Sequence, residues 1–441
     1  MSLDALRADR LGCYGYPHPI SSNLDGLMRD SLVFLNAVTP ATWTLPAHMS
    51  MLSGLEPLVH GCVSSHLQYP PKSLPFPLIF EMLESKGYSP QAVVGGGYVE
   101  PQFGFGRRIK DYRVIHPIKE SIETTIEHAK SWPLTFSLLH TYMIHDYPRV
   151  TTQFDPMRFV KERDPDYNGF FPTDEDFPAL LRALSVTADI PTLKQRDIDY
   201  LDDLYKVAVF SADRSLRVLF RMLRDCKLWD NTTLIITSDH GESLGDVHNG
   251  RQYWFHGGPP YQEQLRVPLI IRPASHLRHL LQPRLVYEPV SLLDLVPTLL
   301  ELVDKPYEEE MFNGTSLVDL GQGKVEAFDD RRLYCHSCED ERDLYLSPRC
   351  FGASTTWGDD GGKLLYNPRT LELQEYYKVD DDPREADDRF ADLDEEQQRE
   401  ARQVIEAYTE DLDYRTLHPP AQEFENDSIV TRLAALGYVD A

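Results

Sequence analysis

Polar side chains that could bind a metal ion follow three apolar runs of the chain. Asp4 comes after the first short apolar segment, and His145 and Asp146 come after "LLHTYMI". Asp239 and His240 come after "TTLIITS". In an open parallel sheet the carboxyl ends of the strands meet at one edge, so these groups can converge although they are far apart in sequence. With a threonine oxygen they would form a ligand set suited to a divalent cation, although each alone is more typical of a turn or a helix cap.

The segment "TWTLPAH" at residues 42–48 contains a candidate nucleophile. Thr44 is predicted as the N-cap of a helix, with Pro46 in the first turn and Gly54 at the other end. Because the N-terminus of a helix attracts anions, a hydroxyl placed there could attack an anionic substrate. The same threonine could also be only a cap, and this segment alone does not separate the two functions.

The composition excludes two classes of partner. The chain of 441 residues is 41% hydrophobic and 11% aromatic, which indicates a folded protein with a substantial core. Its net charge of −26 repels nucleic acids and anionic membrane surfaces. No run approaches the ~20 apolar residues of a membrane helix, so no integral membrane segment is predicted. Chemistry on a phosphate or sulfate would therefore need local positive charge, for which a bound metal ion is the natural source.

The cysteines and the start of the chain bear on localisation. The six cysteines are scattered, which favours reduced thiols and predicts a cytoplasmic location. Cys335 and Cys338 have C-x-x-C spacing but no second pair, so a zinc or redox site is not favoured there. Because only three residues precede Asp4, we expect that most of a first strand, and any export signal, lies upstream of this sequence.

Helical and strand patterns alternate over the first two-thirds of the chain. This alternation predicts an α/β domain over 1–307, with a mostly parallel central sheet flanked by helices on both faces. The polar segment 147–195 interrupts the alternation and is predicted as a surface insertion near the site. Residues 308–441 predict a smaller C-terminal α+β subdomain, with an antiparallel hairpin in "GKLLYNPRTLELQEYYKV" and an acidic helix after it.

The chain resembles the sulfatase family of the alkaline phosphatase superfamily. Its first 61 residues are similar to the N-terminal signature of that family, and later motifs follow in the family order: "YMIHDYP", "SDHGESLGD", "FHGG", "EQLRVPLIIRP", "FNGTSL" and "RLAALGYVD". The resemblance implies an alkaline-phosphatase-like sheet and a metal-dependent ester hydrolase. It also implies a metal shell of Asp4, Asp239 and His240, completed by Thr44 at the nucleophile position.

The resemblance also implies which groups transfer protons and how many metals bind. His256 matches a catalytic position of the family and is the first candidate for protonating the leaving oxygen, with His145 as the second. Members with two metals supply an Asp-x-x-x-His pair and a further histidine. Here Lys206 stands four residues after Asp202, and no histidine lies between Asp146 and Asp239. We therefore expect one divalent ion, with Mn²⁺, Ca²⁺, Mg²⁺ and Zn²⁺ all open.

Three positions depart from the family pattern. Sulfatases carry Cys-x-Pro-x-Arg, or serine in place of the cysteine, and oxidise the first residue to formylglycine. Thr44 cannot become that aldehyde, His48 stands in place of the arginine, and Ala5 replaces a second aspartate. Threonine occupies the nucleophile position in superfamily members that act on phosphorus, such as nucleotide pyrophosphatases, phosphopentomutases and lipoteichoic acid synthases. His48 stays among the candidate catalytic residues because of its position.

The predicted function is therefore metal-dependent hydrolysis of a phosphodiester or a phosphonate monoester, with a covalent phosphothreonine intermediate. Three alternatives stay open: transfer of the phospho group to an alcohol, hydrolysis of a sulfate ester, and a catalytically degenerate binding protein. The expected substrate is a small-molecule, glycan or lipid ester of phosphate or sulfate. Neither the natural substrate nor the oligomeric state is encoded in a readable motif.

Overall fold

An eight-stranded sheet forms the centre of the protein. The strands, in chain order, are β1 (Ser2–Leu3), β2 (Leu32–Phe34), β3 (Ala37–Val38), β4 (Ser89–Val94), β5 (Asp111–Val114), β6 (Thr135–Thr141), β7 (Leu234–Thr237), β8 (Ser243–His248), β9 (Arg251–Phe255), β10 (Leu269–Arg272), β11 (Arg284–Val286), β12 (Val290–Ser291), β13 (Tyr334–His336), β14 (Ala353–Trp357), β15 (Gly362–Tyr366) and β16 (Leu373–Lys378). The strand order in the central sheet is β11-β2-β10-β7-β1-β6-β4-β5. The computed structural model describes residues 1–63, 74, 76–107, 109–147, 164, 166–170, 193–308, 311–329, 331–337, 353–357, 361–368 and 370–411.

Most neighbouring strands of the central sheet are parallel. Only β10 runs antiparallel to its two neighbours, β2 and β7. The other five pairings are parallel. This arrangement confirms the predicted α/β class with a mostly parallel sheet, and it brings the carboxyl ends of β1, β6 and β7 to one edge.

Helices cover the sheet, and they are α1 (Ser22–Leu27), α2 (Thr44–Ser53), α3 (Pro57–His60), α4 (Ile79–Glu84), α5 (Ile118–Ser131), α6 (Gln195–Asp225), α7 (Gln262–Leu265), α8 (Leu295–Leu302), α9 (Val318–Gln322) and α10 (Glu395–Asp411). The long amphipathic segment predicted at 195–228 is α6. Among the described residues, no helix has the length and apolar character needed to cross a membrane.

Alternate residues of the strands pack against helices on opposite faces of the sheet. Val33 of β2 lies in one apolar cluster with residues of α5 and α6. Its neighbours Leu32 and Phe34 lie in another cluster, with residues of α8 and α9. Each fully buried leucine or phenylalanine contributes roughly 1.5–3 kcal/mol relative to exposure. The two-residue period of the strands therefore builds a core on both faces, as the apolar runs predict.

A second, antiparallel sheet of four strands, β13-β14-β15-β16, follows in the C-terminal part. The predicted hairpin is β15 and β16, which pair antiparallel. The predicted acidic helix is α10, which packs Ala401 and Ile405 against Leu364 and Tyr376 of the hairpin. The domain boundary at 307–308 stays a prediction. Most of the predicted insertion at 147–195 lies outside the described residues, as does Cys338.

Candidate active site

Three buried side chains meet where β1 and β7 end. Asp4 follows β1 directly, and Asp239 and His240 lie shortly after β7. Because β1 is parallel to β7, both strands end at the same edge of the sheet. All three residues are fully buried, and one ligand atom from each lies within 4.8 Å of the others. The structure thus brings together the three side chains predicted as metal ligands.

The donor atoms of this cluster fit a divalent cation. His240 Nδ1 donates to the carbonyl oxygen of Gly241 at 2.8 Å, which leaves the lone pair of the imidazole on Nε2, facing the carboxylates. Burial lowers the pKa of His240 to about 4, so the ring is neutral, as a metal ligand must be. Asp4 Oδ1 and Asp239 Oδ2 are buried without a hydrogen-bond donor among the described residues. Because such acceptors are costly to bury without a partner, the two oxygens fit a divalent cation, which would compensate both.

Thr44 is not the N-cap of α2, so that prediction is wrong by one residue. The N-cap is Trp43, whose extended backbone precedes the helix, and Thr44 is the first helical residue. Its side chain is therefore directed into the cluster, with Oγ1 3.4 Å from Asp4 Oδ2 and 3.3 Å from His240 Nε2. Gly54 ends the helix in a left-handed conformation with φ 74°, as predicted.

Two buried histidines lie behind the carboxylates. His48 of α2 places Nδ1 3.0 Å from the Thr44 carbonyl oxygen and 3.3 Å from Asp239 Oδ2, and its Nε2 is 3.1 Å from Ser2 Oγ. His140 of β6 places Nε2 3.0 Å from Asp4 Oδ2, and the two imidazole rings meet edge to face at 4.9 Å. His140 was not among the site residues predicted from the sequence. Its signal was a histidine within the apolar strand "LLHTYMI", where a buried polar group needs a partner.

The two predicted proton-transfer histidines lie together beside His240. The ring of His256 stacks on that of His240, with centroids 4.4 Å apart, and lies 5.0 Å from the ring of His145. His145 Nδ1 is 3.1 Å from Asp146 Oδ1. His256 Nδ1 is 2.9 Å from Oε2 of the buried Glu242. Glu242 was not among the site residues predicted from the sequence. Burial lowers the pKa of His256 to about 3 and raises that of Glu242 to about 7.

Most of the chain, from β1 to α8, matches a known protein family. The family model for Sulfatase matches residues 2–305, more than half of the chain. The chain belongs to the sulfatase family. Its central sheet, α2 and the Asp4, Asp239 and His240 cluster all lie within the matched residues, whereas β13–β16 and α10 lie beyond them.

The chain is similar to a protein named for the alkaline phosphatase superfamily and to several sulfatases. The chain is 31% identical over 155 residues to the multifunctional alkaline phosphatase superfamily protein PehA of Trinickia caryophylli, a match that covers 35% of this chain and 28% of that protein. It is 22% identical over 326 residues to an ulvan-active sulfatase of Formosa agariphila, covering 68% of this chain and 60% of that protein. These matches span less than two thirds of either relative.

Solved structures of sulfatases and phosphonate monoester hydrolases share the fold. The 2-O glycosaminoglycan sulfatase BT1596 superposes with a TM-score of 0.68 at 16% identity, covering 96% of this chain and 94% of that one. The phosphonate monoester hydrolase of Agrobacterium radiobacter superposes with a TM-score of 0.60 at 17% identity, covering 95% of both chains. At such identities the likeness concerns the fold alone, the alkaline-phosphatase-like α/β architecture.

The backbone of Ala5 contacts the cluster. Ala5 has a left-handed backbone with φ 62°, which is uncommon for a residue with a Cβ atom. Its N–H donates to Asp239 Oδ1 at 3.3 Å, and its carbonyl oxygen accepts from the Tyr205 hydroxyl at 2.6 Å. Ala5 therefore contributes to the site through its backbone, which positions one carboxylate of the cluster.

Asp202 and Asp203, the aspartates considered for a second metal site, pair with Lys206 instead. Lys206 Nζ lies 2.5 Å from Asp202 Oδ2 and 3.4 Å from Asp203 Oδ1. Within the part of the chain that the structure describes, the cluster of Asp4 and its two neighbours is the one group with the spacing of a metal site. The Lys206 ammonium group, together with Arg10 at 2.6 Å from Asp202 Oδ1, compensates the charge of these aspartates without a metal ion.

Proposed function

We propose that this protein is a metal-dependent hydrolase that cleaves a phosphodiester or a phosphonate monoester, with Thr44 as the nucleophile. The observation that carries the proposal is the placement of the Thr44 hydroxyl, 3.4 Å from Asp4 Oδ2 and 3.3 Å from His240 Nε2, at the first residue of a helix. N–H groups at a helix N-terminus favour an anionic substrate there. Threonine at this position does not support the formylglycine route.

The proposed metal ligands are Asp4, Asp239, His240 and Thr44, around one divalent ion. When bound, such an ion would lower the pKa of an adjacent hydroxyl and neutralise negative charge on the phosphoryl oxygens. His48 and His140 are proposed to orient the two carboxylates rather than to contact substrate, because both rings are fully buried behind them.

The reaction is proposed to run in two steps. In the first, Thr44 Oγ1 loses its proton to solvent and forms a bond to phosphorus, the bond to the leaving oxygen breaks, and His256 donates a proton to that oxygen, with His145 as the alternative donor. In the second, water attacks the phosphothreonine and gives a proton to the same histidine, the bond between phosphorus and Oγ1 breaks, and Oγ1 takes a proton from solvent, which restores the hydroxyl. An alcohol in place of water would make the protein a transferase.

An activity panel tests the proposal. Phosphate monoesters, phosphate diesters, phosphonate monoesters and aryl sulfates are assayed with Mn²⁺, Ca²⁺, Mg²⁺ and Zn²⁺, with and without an added alcohol. We expect turnover of bis-p-nitrophenyl phosphate or of a phosphonate monoester. Turnover of aryl sulfates alone would favour the sulfatase alternative, which the named sulfatase relatives support. A phosphorylated alcohol as the main product would favour the transferase.

Metal content gives an independent prediction. We expect one divalent ion per chain after dialysis against a metal mixture, measured by elemental mass spectrometry. Because an ion that binds only the folded state stabilises it, removal by a chelator should lower the unfolding free energy by about 3 kcal/mol at an ion concentration a hundred times Kd. Thermal denaturation before and after readdition measures this. A chain without bound ion and without activity on any ester would favour the binding-protein alternative.

A further inference from the structure

A buried carboxyl group lies directly behind the proposed proton donor. Glu242 Oε2 is 2.9 Å from Nδ1 of His256, and the Glu242 side chain is only 2% exposed. The backbone of Glu242 is fixed on both sides. Its N–H donates to the carbonyl oxygen of Glu263, and its own carbonyl oxygen accepts from Arg7 Nη1 at 3.0 Å. The carboxyl group is therefore held against one nitrogen of the imidazole ring by backbone contacts.

The β8–β9 hairpin brings these two residues opposite each other. Asn249 and Gly250 form its two-residue turn, both with positive φ, and His248 pairs with Arg251. The register counted from this turn would place His256 opposite Ser243. An extra residue in β8, at Gly245, shifts the pairing so that Ser243 faces Phe255. His256 consequently lies one step further along, opposite Glu242.

The backbone is constrained at the bulge in β8 and at the end of β9. Gly245 has φ 89°, and a Cβ atom there would lie 2.5 Å from the ring of Trp254. Phe255 has φ 65°, which is an outlier for a bulky residue, and Gly257 has φ 76°. Bulges and strained residues of this kind re-aim side chains and occur often next to active sites. Here they flank His256 and fix its orientation over the ring of His240.

We propose that Glu242 is the positioning residue of His256: it accepts a hydrogen bond from Nδ1–H and so dedicates Nε2 to proton exchange with the substrate. This inference rests on the proposed function and deepens it. In the first step Nε2 of the imidazolium gives its proton to the leaving oxygen, and Nδ1–H stays hydrogen-bonded to Glu242. In the second step Nε2 takes a proton from the attacking water, so the protons on His256 balance over the cycle. A carboxylate behind the ring stabilises, against the effect of burial, the imidazolium that is present before the first step and forms again in the second.

Leaving-group dependence separates this role from a structural one. The values of kcat/KM are measured for aryl diesters or phosphonate monoesters with p-nitrophenol or phenol as the leaving group. His256→Ala should lower kcat/KM by about 10²–10⁴-fold when phenol is the leaving group. The loss should be far smaller when p-nitrophenol is the leaving group, because p-nitrophenolate leaves without a proton. Glu242→Gln should show the same pattern at about 10–100-fold. The double variant should lose no more than His256→Ala alone, because the two residues act as a unit.

A matched control lies in the same part of the fold. Glu263 is also buried, and its Oε1 lies 3.0 Å from Nε2 of His248 in the same hairpin. The ring of His248 stacks on that of Tyr261, with centroids 3.7 Å apart, outside the candidate site. Glu263→Gln should lower the melting temperature without changing the leaving-group dependence. Equal losses with both phenols in Glu242→Gln, as a merely structural role gives, would overturn the inference.

A spectroscopic measurement on the wild-type protein does not depend on activity. Nitrogen NMR of histidine-labelled protein, assigned with His256→Ala, should show His256 with Nδ1 protonated, and Glu242→Gln should change that signal. If the protein is active, and His256→Ala shows the expected leaving-group dependence, but Nδ1 of His256 carries no hydrogen, the inference is overturned and the proposed function stands. Inactive protein with a protonated Nδ1 that responds to Glu242→Gln would support the pairing and contradict the proposed function.

Discussion

Replacement of Thr44 by alanine is expected to lower kcat/KM for bis-p-nitrophenyl phosphate by at least about 10³-fold. The alanine lacks the oxygen that is proposed to form the bond to phosphorus. The loss should not come from unfolding of α2, because Thr44 is the first helical residue and Trp43 holds the N-cap position without a side-chain hydrogen bond. Initial rates at saturating metal, with circular dichroism of both proteins, make the comparison.

Two further variants show whether the hydroxyl itself is responsible. Thr44→Ser keeps the oxygen and should stay within about tenfold of the wild-type rate. Ser53→Ala removes a hydroxyl from the other end of the same helix, where Oγ donates to the Met49 carbonyl oxygen at 2.7 Å, and should leave the rate unchanged. A Thr44→Ala protein that still releases sulfate from an aryl sulfate, or hydrolyses the diester at the wild-type rate, would contradict the assignment of the nucleophile.

The parts of the fold that apolar periodicity determines could be predicted from the sequence. The strand at Leu269–Arg272, the long helix at Gln195–Asp225 and the C-terminal hairpin all follow from local patterns of apolar residues and turns. The convergence of Asp4 with Asp239 followed from one general rule, that ligands bind beyond the carboxyl ends of parallel strands. The pairing of β1 with β7 satisfies that rule.

The details that depend on one-residue shifts could not be predicted in the same way. Thr44 was assigned to the cap because threonine is a preferred N-cap residue, but tertiary contacts with Asp4 and His240 decide its position. His140 carries no motif, and its role depends on which strand lies beside β1.

The pairing of Glu242 with His256 was only partly encoded in a visible signal. The Asn-Gly dipeptide at 249–250, between two runs of strand-forming residues, is typical of a two-residue hairpin and could have predicted β8 and β9. Counting along that hairpin would still have paired His256 with the wrong residue. The bulge at Gly245 changes the register by one, and only a glycine between strand residues indicated it.

Asp4→Asn is expected to weaken metal binding and, at the same time, to stabilise the metal-free protein. Asp4 Oδ1 and Asp239 Oδ2 are buried acceptors without hydrogen-bond donors among the described residues. Burial and the neighbouring Asp239 carboxylate raise the pKa of Asp4, and no donor on Asp4 Oδ1 offsets this effect among the described residues. An amide removes that charge, and its oxygen can still face His140. We expect a melting temperature about 2–5 °C higher in the presence of a chelator, and metal affinity lower by about 100-fold.

The matched control is a buried aspartate that has hydrogen-bond donors on both carboxylate oxygens. Asp294 accepts hydrogen bonds from the backbone N–H groups of Thr315 and Ser291, each at 2.8 Å, and pairs with Arg331. Asp294→Asn should therefore lower the melting temperature, because it leaves the guanidinium without its partner. Calorimetry with a chelator and titration with Mn²⁺ measure both effects. If Asp4→Asn also lowers the melting temperature of the metal-free protein, the two facing carboxylates are not a strained cation site. If it raises that temperature, the protein keeps an electrostatic repulsion that only a bound cation removes.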